Sequence, residues 1–179
     1  LDMIDGMFAF AFYEARNRRI LLARDPFGIK PLYVAHVAGG LAFASEVRSL
    51  LASGLVPDDL DPAGVASYLA YGATQDPLTM HRAIRSLEAG SAAWVSWPVV
   101  APAVRRFWNF PWSQPAPEDS LLLQAVQTKL SDTVGDQCLA DVPTGVFLSG
   151  GIDSAVVAAL ASRHVQELRT LSIGFEASR

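Results

Sequence analysis

Val146-Phe147-Leu148-Ser149-Gly150-Gly151-Ile152-Asp153-Ser154-Ala155-Val156-Val157-Ala158-Ala159-Leu160 decides how the second half of this chain folds. Val146-Phe147-Leu148 reads as a short buried strand, and Ala155–Ser162 as a helix that is apolar on nearly every side. A glycine-containing turn between a strand and a helix N-terminus makes an anion site. The first N–H groups of a helix have no intrahelical acceptor, and the helix dipole adds partial positive charge there. Gly150 and Gly151 let the backbone approach a phosphate closely, and Ser149 and Ser154 add hydroxyls. Asp153 is the odd member, because a carboxylate repels phosphate unless it holds Mg²⁺ or orders the loop. Its presence points to a metal-neutralised triphosphate. The loop lacks the Gly-Lys-Ser/Thr ending of a Walker A loop and the Gly-x-Gly-x-x-Gly of a dinucleotide site.

Working outward, Leu168–Phe175 reads as a further strand. Upstream, Asp119 or Ser120 is expected to cap a long amphipathic helix whose apolar side carries Leu122, Leu123, Val126, Leu130, Val134 and Leu139. Prolines at 98, 102, 111, 115 and 117 mark a linker, assigned to 111–117. The residues before it have a different style. Met7–Tyr13 alternates aromatics, the period of a strand with one strongly buried face, and hairpins with Ile20–Arg24 across a polar turn. Asp25-Pro26-Phe27-Gly28 breaks the chain direction, with Pro fixing φ and Gly permitting φ > 0. Leu32–Ala35 and Leu41–Ala44 form another hairpin around Ala38-Gly39-Gly40. Ser45 can cap a short helix starting at Glu46, and Asp61-Pro62 opens a second running to about Ala70. Residues 71–90 read as loop with one helical turn near Met80–Ile84. Ala92–Trp97 is a strand, with Arg105–Trp108 as its antiparallel partner.

The totals narrow the classes. With 51% hydrophobic and 18% charged residues among 179, the chain forms cores and is no disordered tail. A formal net charge of −4 excludes a global pull toward nucleic acid or anionic membranes, so a phosphate site must be local. The single cysteine, Cys138, excludes an internal disulfide. No run is apolar for long enough to suggest a membrane span, and the start lacks the pattern of a signal peptide. The cytoplasm is the expected location. Both ends read as cut, the first running straight into a strand and the last completing one, so the chain is expected to be a fragment.

Ser149–Ser154 matches the ATP-pyrophosphatase signature Ser-Gly-Gly-x-Asp-Ser in full. Joined to Asp141-Val142-Pro143-Thr144-Gly145-Val146-Phe147-Leu148, it resembles the start of the synthetase domain of the glutamine-hydrolysing asparagine synthetase family. Gly6–Ala11, Arg24-Asp25-Pro26-Phe27-Gly28-Ile29-Lys30-Pro31-Leu32-Tyr33 and Phe43-Ala44-Ser45-Glu46 resemble the same family, in its order. The resemblance implies an α/β chain. Residues 1–110 would be the C-terminal part of an Ntn-hydrolase-type β-sandwich glutaminase domain. Residues 118–179 would be the first βα units of an adenine nucleotide alpha-hydrolase-like (ATP-pyrophosphatase) domain.

It also implies an activity. Glutamine is hydrolysed to ammonia, ATP adenylates the aspartate β-carboxylate with release of pyrophosphate, and ammonia displaces AMP. The implied pyrophosphate contacts are Ser149, Gly150, Gly151, Asp153 and Ser154, with Phe147 and Ile173 beside the adenosine and Asp153 on Mg²⁺. The implied partners are ATP, glutamine and aspartate in a full-length parent, with neither nucleic acid nor membrane, and a homodimer. The family's glutaminase nucleophile is an N-terminal cysteine; this chain begins with Leu1, so no catalytic residue is expected within it and no complete active site in the chain alone. Cys138 reads as a buried structural thiol late in the long helix. A paralogous amidotransferase or β-lactam synthetase-like ligase shares the same architecture, and a non-catalytic nucleotide-binding module is the alternative of another class.

Of the remaining residues, Arg24 and Asp25 are expected to support the turn. His36, His81 and His164 show no metal-ligand spacing and read as solvent or loop histidines. Trp94, Trp97, Trp108 and Trp112 cluster around the linker and are expected to pack domains together.

Overall fold

Ala9–Glu14 (β1) and Arg19–Arg24 (β2) form the first hairpin, closed by a 3-10 turn at Ala15–Asn17. Tyr33–Val37 (β3) and Gly40–Ala44 (β4) form the second, followed by helices Val47–Ala52 (α1) and Pro62–Tyr71 (α2). Ile84–Ser86 (β5), Ser91–Ser96 (β6) and Ala103–Arg106 (β7) complete a first unit, Leu1–Trp112. A second, Ser113–Arg179, holds helix Asp119–Gln137 (α3), strand Gly145–Phe147 (β8), helix Ile152–Ala161 (α4) and strand Arg169–Leu171 (β9). The computed structural model describes residues 1, 3–96, 103–112 and 119–174.

Strand pairing in the first unit is antiparallel, in two sheets ordered β1-β2-β6-β7 and β4-β3-β5. Leu22, Ala93 and Val95 of the first sheet cluster with Leu32, Val34, Leu41 and Leu87 of the second sheet and its flanks. Successive side chains on β3 point to opposite faces, so Ala35 lies on the other side. There it joins Ile84, Leu50 and Val56, with Val47 and Leu51 of α1 against them. The unit is a β-sandwich with a helix on one outer face, and the chain is mixed α/β with antiparallel sheets.

Arg24 and Asp25 form a buried polar knot at one end of β2. The Asp25 side chain accepts N–H bonds from Phe27 (3.1 Å), Ile29 (3.0 Å) and Lys30 (2.9 Å). Burial opposes the Asp25 charge, yet the donors at Lys30, Ile29 and Phe27 outweigh it and hold the carboxyl below its ordinary value. Arg24 donates to the carbonyls of Lys30, Leu87 and Gly28 and to Ser86 Oγ, and pairs with Asp76 at 2.9 Å. Gly28 takes φ 64°, and a Cβ there would stand 2.9 Å from Arg24 Cζ.

Several expectations are corrected. The aromatics of β1 do not form a strongly buried face: Phe12 is 57% exposed. Strand β1 is the edge strand of its sheet, and of its residues only Ala9 packs against the core cluster around Leu22; Ala11, which the register sets opposite Leu22, is exposed. Helix α1 begins at Val47 with Glu46 at its cap position, one residue later than expected, and neither Glu46 nor Ser45 caps it through its side chain. The expected helical turn at Met80–Ile84 is reduced to a single hydrogen-bonded turn, Ile84 N–H to His81 O at 3.1 Å, which leads directly into β5. Thr79 Oγ1, 2.9 Å from the carbonyls of His81 and Ile84, braces that approach, and Ile84 enters the core fully buried. Strand β7 starts two residues before the expected Arg105. Asp61 does cap α2, accepting from Ala63 N–H at 3.1 Å, with Pro62 at the first helical position.

In the second unit α3 begins at Asp119, so Asp119 and Ser120 are its first helical residues and the preceding residue lies outside those described. Its expected apolar face is buried only at Val134, and Leu139 lies past its end. The reason is length. Within this unit the ten-residue α4 packs on only the last turns of the nineteen-residue α3, where the His164 ring lies against Gly135. Cys138 is half-buried and one residue past the helix, not within it. Strand β9 ends at Leu171, short of the expected Phe175, which lies outside the described residues together with Trp97, four of the five prolines and residues 113–117 of the linker. Among the described residues no helix is long and apolar enough to cross a membrane.

Candidate nucleotide-phosphate site

Strands β8 and β9 run parallel with α4 between them in sequence, a βαβ unit. The register pairs Gly145 with Arg169, Val146 with Thr170 and Phe147 with Leu171. Both strands therefore finish on the same side. In open parallel sheets that carboxyl end is where ligands bind. Ser149-Gly150-Gly151 leaves β8 there and enters α4.

Helix α4 starts at Ile152, three residues earlier than the sequence pattern suggests, so Asp153 and Ser154 lie in its first turn. Gly151 occupies the cap position and has no side chain to accept from the helix. The first intrahelical bond is Ala155 N–H to Gly151 O at 3.1 Å. The N–H groups of Ile152, Asp153 and Ser154 have no acceptor among the described residues. The contrast with α2 is direct, since Asp61 closes the N-terminus there. An uncapped helix start next to a glycine turn presents donors and a positive dipole end to an anion.

The loop is held in shape by its own hydroxyls. Ser154 Oγ donates to Gly151 O at 3.0 Å and accepts from Ser149 N–H at 3.3 Å. Ser149 Oγ lies 3.1 Å from Ser154 Oγ. Gly150 takes φ 83°, a conformation that disfavours a Cβ, whereas Gly151 sits at an ordinary φ of −82°. A Cβ on Gly151 would meet only Ser149 Oγ, at 3.6 Å. The fold itself has no steric need of glycine at 151.

Phe147 and Ile173 are 75% and 78% exposed, so neither is the core residue that a strand position suggests. Both stand at the carboxyl end of the pair: Phe147 is the last residue of β8, and Ile173 lies two past the end of β9. Phe147, Asp153 and Ser154 also line a cavity of about 540 Å³ with Thr133, Gln137 and Cys138. The structure thus brings all seven expected contact residues to one end of one βαβ unit. Sequence reasoning missed Ser172, whose hydroxyl donates to Leu148 O at 2.7 Å; a lone serine after a strand carries no signal.

Asp153 is exposed at the helix start, and no group of three His, Cys, Asp or Glu among the described residues could hold a metal ion. One carboxylate suits Mg²⁺ arriving with phosphate and water ligands, and does not suit a metal caged by protein alone. The histidines lie elsewhere. His81 Nδ1 is 2.9 Å from Asp58 Oδ1 without the alignment of a hydrogen bond. In the first unit Trp94 carries the Arg19 guanidinium over its ring at 3.9 Å, and Trp108, Phe110 and Trp112 form a separate run of neighbouring rings.

Comparison with known proteins adds two family matches. Residues 1–108 match the glutamine amidotransferase domain, and residues 125–179 match asparagine synthase. A provisionally named asparagine synthetase (glutamine-hydrolyzing) of Mycobacterium tuberculosis strain H37Rv is 40% identical over 183 residues, covering 98% of this chain and 28% of that protein. Asparagine synthetase (glutamine-hydrolyzing) 1 of Bacillus subtilis strain 168 is 32% identical over 171 residues, covering 96% and 27%. The chain therefore spans less than a third of the length of these relatives. A solved structure of glutamine phosphoribosylpyrophosphate amidotransferase from B. subtilis is 18% identical with a TM-score of 0.36, covering 96% of this chain and 33% of that one, below the level at which a common fold follows.

Proposed function

We propose, from the premise that this chain belongs to the glutamine amidotransferase domain family, that it is part of an ATP-dependent, glutamine-hydrolysing asparagine synthetase. The open N-terminus of α4 behind Ser149-Gly150-Gly151 carries the reading. The match of residues 125–179 to asparagine synthase and the names of the relatives support it. Residues 1–110 are then part of an Ntn-type glutaminase domain, 111–117 a linker, and 118–179 the start of an ATP-pyrophosphatase domain. The whole protein converts aspartate, glutamine and ATP to asparagine, glutamate, AMP and pyrophosphate through a β-aspartyl-AMP. It works in the cytoplasm, as a homodimer.

In this reading the N–H groups of Ile152, Asp153 and Ser154 face the β- and γ-phosphates, and Ser149 adds a hydroxyl. These donors are fixed before the reaction, so charge developing on the departing pyrophosphate meets them without reorganisation. Ser154 spends its hydroxyl on the loop, bonding Ser149 N–H and Gly151 O, and acts on phosphate mainly through its backbone. Phe147 and Ile173 flank the adenine, and Asp153 would hold Mg²⁺, which neutralises triphosphate charge when bound.

Aspartate-dependent ATP–pyrophosphate exchange by the full-length protein tests the reading. Asp153→Ala is expected to abolish exchange while the protein stays folded. Exchange at the wild-type rate in that variant would remove Asp153 from the metal, and no exchange by the wild-type protein would remove the synthetase reading.

A further inference from the structure

The β8–β9 ladder stops one rung before its geometry requires. Leu148 N–H donates to Leu171 O at 2.8 Å. In a parallel ladder the residue that donates to one carbonyl receives, at its own carbonyl, the N–H two residues further along the partner strand. The next rung would therefore run from Ile173 N–H to Leu148 O. That bond is absent among the described residues, and Ser172 Oγ occupies the carbonyl instead, at 2.7 Å. A side-chain hydroxyl has replaced a backbone donor on the last acceptor before the phosphate loop. The Ile173 N–H has no acceptor among the described residues, and Ile173 itself is exposed.

We propose that Ser172 is a positioning residue that ends the ladder one rung early and so reserves the Ile173 main-chain N–H for the base of the bound nucleotide. The inference rests on the nucleotide reading above and adds a specificity device to it. An N–H at the strand end, beside the exposed Phe147, is placed to donate to a ring-nitrogen acceptor on the edge of a purine. Inorganic pyrophosphate has no such edge and depends only on the loop and the start of α4. Ser172 also ties Leu148, one residue before Ser149, to the strand that carries Ile173, which keeps the phosphate end and the base end in one register.

Removing the hydroxyl leaves Leu148 O free to take the Ile173 N–H, which closes the missing rung and withdraws the donor from ligand. The test measures ATP and pyrophosphate affinities of the full-length wild-type, Ser172→Ala and Ser172→Thr proteins, with hydrogen exchange at the Ile173 amide. Ser172→Ala is expected to weaken ATP about tenfold, a loss of one neutral hydrogen bond, and to leave pyrophosphate within about twofold. Ser172→Thr is expected to restore ATP binding, and ATP is expected to slow Ile173 exchange in the wild-type protein. Equal losses for ATP and pyrophosphate, or unchanged ATP affinity in Ser172→Ala, would overturn the inference while leaving the nucleotide reading intact. Failure of the wild-type protein to bind ATP would overturn both.

Discussion

Asp25 is 1% exposed, and its carboxylate is the acceptor for three backbone N–H groups of one turn. Truncation to Ala orphans those donors, and Asp25→Ala is expected to destabilise the first unit by about 3 kcal/mol in urea denaturation. Its folded pKa lies below the unfolded value of about 3.9, so the stabilisation is complete above that value. It is lost as pH falls through the folded pKa. A urea series between about pH 5 and pH 2 should show that loss in the wild-type protein and a shallower one in Asp25→Asn. The two loop glycines separate fold from ligand. Gly150→Ala forces a Cβ into φ 83° and should cost about 1–2 kcal/mol of stability. Gly151→Ala should leave the thermal midpoint unchanged and weaken ATP binding about tenfold, because its Cβ would point into space the protein leaves empty. A Ser-Gly-Gly turn before a helix is common by itself, and the full run Ser149–Ser154 in its strand-to-helix context is what could be read in advance, whereas Ser172 acts through one carbonyl that no sequence pattern announces.

Gly64 shows how helix α2 is fixed. A Cβ at this position would lie 1.9 Å from the carbonyl oxygen of Thr79, so the helix touches backbone directly. Gly64→Ala should destabilise by about 2–3 kcal/mol despite the better helix propensity of alanine, since neither main chain can yield. A lowered urea midpoint checks it, and a raised one would mean the segments separate readily. The same contact explains which elements could be read in advance. Hairpins and the Asp61–Pro62 helix start are local events, written in neighbouring residues. Strand β5 is not local: Ile84–Ser86 becomes a strand because β3 offers it an edge and a core pocket waits for Ile84. Helix α3 errs the other way. Its periodicity promised a buried stripe, yet within its unit only the end near Val134 finds a partner, and periodicity cannot say where that partner is.

At the scale of the whole chain, charge is the property that acts everywhere at once. A formal net charge of −4 and a pI near 5.3 leave little mutual repulsion just below neutrality. Light scattering of the chain across pH should therefore peak near 5.3, where the net-charge repulsion between molecules vanishes and exposed apolar side chains such as Trp112 and Leu123 can associate. Net charge gives no global pull toward an anionic partner and assigns no site; the candidate site was read from one loop. The order of strands in the first sheet has a different sort of consequence. Strand β2 lies between β1, its immediate predecessor, and β6, with Leu22 set against Ala93. On a ribosome that adds about 5–20 residues per second, the hairpin emerges several seconds before the strand that will cover its second edge. Throughout that wait the edge of Ile20, Leu21 and Leu22 is a template for any other nascent strand. Crowded translation of this message is thus where misassembly would begin, and slowing synthesis between Arg24 and Ser91 would lengthen the exposure rather than help the fold.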